Sequence, residues 1–150
     1  MKIIKDKKII EDSWTHITDE ENISNGDITV SLARWKKDKP ALTSHQGNIG
    51  VRLSSADKVE DIASDLSDIP LMALEFPAFT DGRGFTHARL LRDQYAYKGE
   101  IRAMGSYMPD QAFYLSRVGV DAFQLENQDE LAVALSTLED FTVRYQTSSN

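Results

Sequence analysis

Along most of the chain a short apolar run is followed by a turn, and the turn by apolar residues spaced three and four apart. Ile49 to Leu53 is one such run. Ser54 or Ser55 can cap the next segment, in which Val59, Ile62, Ala63 and Leu66 mark one face of a helix. Leu71 to Phe76 is apolar on both parities apart from Glu75, as expected for a strand covered on both faces, and it stops at Pro77. Phe85, Ala88, Leu91 and Tyr95 form the next helix face, and Ile101 to Met104 the next strand. Pro109 suits the first position of a helix running to Val118. Ala122 to Leu125 is again strand-like. Asn127 with Glu130 makes a capping-box start for a last helix with Leu131, Leu135, Leu138 and Phe141 on one side. The polar tail from Gln146 is expected to fray.

Upstream the pattern is looser. Residues 2–19 carry Ile3, Ile4, Ile9, Ile10, Trp14 and Ile17 around an Asp6-Lys7 break, which predicts a hairpin or edge arm. A polar stretch ends in the turn signal Asn25-Gly26. Ile28 to Val30 reads as a strand, Ser31 as the cap of a helix over Leu32 to Lys37, and Pro40 as its end. Four to five βα units with short loops predict an α/β fold. Its economical form is a three-layer, open, mostly parallel sheet; the alternative is a partial βα barrel, because local patterns do not separate a flat sheet from a curled one. The organisation expected is one domain over 1–150, with 1–27 a small N-terminal β arm and 28–145 the βα core.

Composition narrows the partners. The formal net charge of −7 disfavours nonspecific binding to nucleic acid or to anionic membranes. Residues 81–120 nonetheless hold six Lys or Arg against four Asp or Glu, a local +2, which leaves −9 for the rest. A locally basic motif in an acidic chain suits a small anion, and it equally suits arginines paired with local carboxylates. With no cysteine, disulfides, thiolate nucleophiles and cysteine-ligated clusters are excluded. Met1 to Asp12 resembles neither a signal peptide nor an anchor, and no apolar run reaches the length of a membrane span, so a cytoplasmic location is expected.

Candidate chemistry gathers where two strands end. Thr80 to Gly84 follows one strand and Gly105 to Asp110 the next, the loops that hold ligands in α/β sheets. Asp81 and Asp110 are the candidate catalytic carboxylates, with helix capping as their alternative role. Asp81, Gly82, Arg83, Gly84 and Asp110, with Arg89 or Arg102 nearby, form the expected ligand-binding set. Gly82-Arg83-Gly84-Phe85-Thr86-His87 falls short of a dinucleotide fingerprint because the third glycine is missing. Arg89 and Arg92 share a helix face, where Arg92 reads as solvated; Arg102, inside a strand, needs a partner or a way out to solvent. His16, His45 and His87 lack metal-ligand spacing, so no metal site is expected, and none of the motifs of a resident cofactor is present.

Phe79-Thr80-Asp81-Gly82-Arg83-Gly84-Phe85, Ala88-Arg89-Leu90-Leu91-Arg92, Gly99-Glu100-Ile101-Arg102-Ala103-Met104-Gly105 and the run Asp110 to Gly119 together carry a resemblance. Asp12 with Trp14, Leu32-Ala33-Arg34 and Gly50-Val51-Arg52-Leu53 add weaker likenesses. The chain resembles a bacterial family of unknown function that genomic context links, as an oxidoreductase, to sulfite reduction; its members are encoded beside sulfite reductase and sulfate-assimilation enzymes. The family supplies no catalytic residue to carry over. Where such families often have a cysteine near Arg117, this chain has Val118. Sulfite reduction is a multi-electron reaction that side chains alone do not perform. The resemblance therefore implies an accessory protein of assimilatory sulfite reduction, without its own redox cofactor, partnered by sulfite reductase or another sulfate-assimilation enzyme. The alternative is a small enzyme or carrier binding an anionic sulfur metabolite or nucleotide phosphate at the Asp81–Arg83 turn. A redox enzyme with a loosely held flavin ranks third.

Overall fold

The computed structural model describes residues 1–77 and 83–148, with side chains described through residue 139. All its strands join one sheet: β1 (Lys2–Lys5), β2 (Lys8–Glu11), β3 (Thr15–His16), β4 (Ile28–Ser31), β5 (Ile49–Leu53), β6 (Leu71–Phe76), β7 (Glu100–Gly105) and β8 (Ala122–Phe123). Their order is β2-β1-β8-β7-β6-β5-β4-β3. From β3 to β8 each strand lies parallel to the next in sequence, while β1 runs antiparallel to both β2 and β8. A doubly wound sheet reverses its strand order somewhere; this run does not. Crossovers of one hand then place every connection on the same face.

The two edge strands show that the sheet curls. β2 and β3 are joined by Asp12, Ser13 and Trp14 alone. That link spans at most about 14 Å. A flat sheet of this size would hold its edges roughly 34 Å apart. The sheet is therefore rolled into an open partial barrel, the second of the two arrangements the sequence allows.

The convex face carries the core. Val51, Leu53, Met72, Leu74, Ile101, Ala103 and Phe123 pack in one cluster with residues of the connecting helices, among them Trp35, Ile62, Leu91, Leu115 and Leu138. Five α-helices are described: α1 (Leu32–Lys37), α2 (Lys39–Thr43), α3 (Arg83–Arg89), α4 (Ala112–Arg117) and α5 (Leu131–Ser148). Ser31 caps α1 as expected, its hydroxyl accepting the Arg34 N–H at 3.1 Å. Pro40 does more than end α1: it stands in the first turn of α2, where its missing N–H has no partner to lose.

Three segments differ from their sequence patterns. The helix expected over Val59 to Leu66 forms as two 3₁₀ turns, Val59–Asp61 and Ala63–Asp68, which still bury Val59, Ile62 and Leu66. Ser64, Asp65, Ser67 and Asp68 are weak helix formers, and this explains the broken geometry. α3 passes into a π turn over Leu90–Gln94, so Tyr97 rather than Tyr95 becomes the buried aromatic. α5 continues helical through Ser148 where fraying was expected from Gln146. The expected position of Phe141 lies outside the described side chains. No described helix is long and apolar enough to cross a membrane.

Candidate functional site

The concave face is lined by charge. Strand register puts Thr29, Arg52, Ala73, Arg102 and Ala122 on the face opposite the helix-packed residues. Each of β4 to β7 carries a polar residue there (Thr29, Arg52, Glu75, Arg102), and Gln124 follows just past β8. The N-terminal arm brings two more, Asp12 and His16.

These groups satisfy one another. Arg102 is 1% exposed, its Nη1 2.9 Å from Asp12 Oδ2 and its Nη2 3.0 Å from Glu100 Oε2. Lys5 Nζ reaches the other Glu100 oxygen at 3.0 Å, and that contact raises the Lys5 pKa. Arg52 donates to Thr29 O, Thr29 Oγ1 and Ile17 O at 2.7, 2.8 and 2.7 Å. The Thr29 hydroxyl, already accepting from Arg52, donates its own proton to His16 Nδ1 at 2.6 Å. His16 Nε2–H then donates to Gln124 Oε1 at 3.0 Å, bridging β3 to the end of β8 across the hollow of the sheet. Among the described residues, no buried side-chain nitrogen or oxygen lacks a hydrogen-bond partner.

Burial is the main reason that His16 titrates below its ordinary value of 6.5, with Arg102 and Arg52 adding to it against Asp12 and Gln124. A histidine whose folded pKa is depressed binds protons more readily in the unfolded chain. Its stabilising effect is therefore present above 6.5 and lost as the pH falls from there through the folded value. We expect the urea midpoint of the native chain to drop more between pH 7.5 and 5.5 than that of His16→Gln, which cannot titrate. Equal drops would mean that His16 contributes nothing to the acid response.

The residues expected to form one site fall into three places. Asp81 and Gly82 lie outside the described residues. Arg83 is exposed and begins α3; Gly84 is buried, and a Cβ there would collide with the Phe76 ring, so the helix start sits directly on the end of β6. Asp110 is exposed in the 3₁₀ turn after β7. The side chain that closes that turn is Gln111, whose Oε1 accepts the Met108 N–H at 2.8 Å. These residues stand at the C-terminal ends of β6 and β7, which are neighbours in the sheet. Arg102 is inside the curl, between its two carboxylates. Arg89 lines a separate cavity with Arg92 and Arg117. Arg92, read from the sequence as solvated, is instead tied down: Nε donates to Gly119 O at 3.0 Å, and Nη1 to Tyr97 O and Gly99 O at 2.7 and 2.8 Å.

At the C-terminal mouth a cavity of about 170 Å³ is lined by Ser54, Ser55, Glu75, Phe76, Pro77, Met104 and Gly105. Glu75 is the half-exposed carboxylate in it, with Arg52 Nε 3.9 Å away. In βα barrels, chemistry is placed at this end of the strands. A larger hollow of about 670 Å³ opens at the other end of the sheet, between Asn48, Pro70 and Gly99. Its wall residue Tyr97 spends its hydroxyl on Ile69 O at 2.7 Å. Among the described residues, no group of three or more His, Cys, Asp or Glu gathers as a metal site would require.

Sequence reasoning singled out Arg102, noted Glu75 only as the polar exception in its strand and His16 only as lacking metal-ligand spacing, and gave Thr29, Arg52 and Gln124 no role. The signal was present: one polar residue at matching positions of successive apolar strands marks a shared inward face.

No curated protein matches the chain. From β5 to the end of α5, the part that carries Arg52, Glu75, Arg102 and the mouth, the sequence matches the model of DUF934, bacterial proteins of unknown function, over residues 50–150, and the chain belongs to that family.

Proposed function

We propose that this protein is an accessory factor of assimilatory sulfite reduction, which docks onto sulfite reductase or another enzyme of sulfate assimilation and transfers no electrons through groups of its own. The link to sulfite reduction rests on the resemblance carried by the Phe79–Phe85 and Gly99–Gly105 motifs. The non-catalytic character rests on one observation, the self-compensated interior. Arg102 is spent on Asp12 and Glu100, Arg52 on Thr29 and the Ile17 carbonyl, and His16 on Thr29 and Gln124, whereas catalytic acids and bases usually keep a face open to substrate. Within the motif run Asp110 to Gly119, Tyr114 is 58% exposed, and Met108 just before it is 47% exposed. Large apolar side chains displayed in a motif serve contact better than they serve packing.

The test uses the purified full chain and the sulfite reductase of the same organism. Co-elution, with loss of binding in Tyr114→Ala, supports the accessory role. Sulfite-dependent oxidation of a reduced nicotinamide cofactor by the isolated chain would overturn it.

A second reading is a small enzyme or carrier that holds an anionic sulfur metabolite or nucleotide phosphate at the Asp81–Arg83 turn, since Arg83, exposed at the start of α3, follows the C-terminal end of β6, where βα folds hold their ligands. Under that reading Arg83→Ala removes the binding of such a ligand while leaving the melting temperature in place.

A further inference from the structure

On the outer surface, away from the mouth, the end of the α3–π segment meets the end of α4 around a hollow of about 320 Å³ lined by Arg89, Arg92, Asp93, Arg117, Val118 and Gly119. We propose that this hollow is a binding site for a small molecule carrying a sulfate or phosphate group. Three arginines around one cavity are unexpected in a chain of net charge −7.

The way Arg92 is held sets this cluster apart from a solvated charged face. Its guanidinium is fixed by the carbonyls of Gly119, Tyr97 and Gly99, and carbonyls orient a cation without cancelling its charge. The carboxylate paired with it, Asp121, stands at 3.5 Å and itself accepts the Ile101 N–H at 2.9 Å. Burial raises the pKa of Asp121, which makes it a reluctant counter-ion. Gly119 adopts φ +105, and a Cβ there would run into Arg92 Cγ, so the glycine is what lets the arginine lie across it.

Arg89, three residues before Arg92 and on the same side of the helix, is exposed and makes no hydrogen bond or ion pair among the described residues. Arg117 faces it from α4, its guanidinium 5.7 Å from the Phe113 ring centre. Among the described residues, three guanidinium groups gather at the hollow beside Asp93 and Asp121. Planar guanidinium forks suit the paired oxygens of sulfate and phosphate. The hollow has the volume of a small ligand pocket, so it has room for an organic body beside the anion.

Isothermal titration of the full chain with sulfate, phosphate and adenosine monophosphate tests the site. We expect saturable binding. Tighter binding of the nucleotide would identify an organic phosphate as the natural class, and equal affinities a free oxyanion. Arg89→Ala and Arg117→Ala should each weaken binding about tenfold or more, the worth of a charge-assisted contact. Lys37→Ala, altering an exposed cation on α1, should leave it unchanged, and Arg83→Ala separates binding in this hollow from binding at the mouth. Melting curves check that the variants fold, and Arg89→Ala, altering an exposed side chain, remains decisive if Arg117→Ala does not. The proposal is overturned if none of the three anions binds at millimolar concentration, if Arg89→Ala binds like the native chain, or if Arg83→Ala alone abolishes binding.

Discussion

Arg102→Ala should lower the unfolding free energy by about 3–5 kcal/mol, the usual penalty for removing one partner of a buried ion pair. The loss falls unevenly on its two carboxylates. Glu100 keeps Lys5 Nζ at 3.0 Å, but Asp12, 4% exposed, is left with His16 at 3.8 Å. Asp12 also accepts the Trp14 N–H at 3.1 Å, so the uncompensated charge sits within the short link that closes the sheet. The arm should loosen first. Urea unfolding followed by circular dichroism measures the total. The double variant Arg102→Ala/Asp12→Ala should be more stable than the sum of the two single losses allows, because it no longer buries a lone carboxylate. A loss within about 0.5 kcal/mol for Arg102→Ala, the range of ordinary surface substitutions, would show that the inner cluster does not hold the fold.

Gly105→Ala is the second large effect, expected to cost at least about 2 kcal/mol from backbone strain and steric conflict combined. Gly105 ends β7 at φ +97, a conformation an L side chain adopts poorly. A Cβ there would also strike Phe76 O, the oxygen that accepts the Ser106 N–H at 2.7 Å. The collision is with backbone at the end of the β6–β7 ladder, where no rotamer change can relieve it. Gly26 provides the control: it has nearly the same φ, +98, but nothing within 4 Å of an added Cβ. Gly26→Ala should therefore cost only the conformational part, about 1–2 kcal/mol. If the two alanine variants melt together, the tight apposition of Gly105 and Phe76 is not a constraint on the fold.

Much of the architecture was legible before the structure. Local signals placed β5, β6 and β7 to within a residue of each end, Ser31 as a cap, and Pro109 at the start of a turn of helix. Each depends on neighbours in sequence. The curl was not legible, because it depends on strand order, and strand order is fixed by pairings such as Ile4 with Phe123 that no local window contains. The inner cluster is a similar case. Arg102 stood out as a cation inside a strand, but its partner Asp12 lies far off in the arm, in a segment whose pattern was the weakest of the chain. The Arg92 reading failed for a related reason. Helix spacing correctly put it beside Arg89, yet its partners are carbonyls at Tyr97, Gly99 and Gly119, and carbonyls leave no mark in a sequence. The turn at Asp81 and Gly82 lies outside the described residues, so the shared rim expected of Asp81 and Asp110 stays a matter for the Arg83 titrations.

The link between the two sheet edges also has a consequence for how the chain is made. On the ribosome the N-terminus emerges first, and strands β3 to β7 can each pair with a neighbour as soon as that neighbour appears. β1 has no such option across the sheet: the strand beside it, β8, is synthesised after every other strand of the sheet, and later still comes Gln128, whose side chain takes the Lys2 N–H at 2.8 Å. β1 must therefore wait until β8 has been made, and closing the curl becomes the slow, long-range step of folding. Through that wait the hairpin holds out Ile3, Ile4, Ile9 and Ile10, an aggregation hazard in any nascent chain. Lys2, Lys5, Lys7 and Lys8 are set among those isoleucines, and their mutual repulsion keeps one growing chain from pairing with the next until β8 arrives.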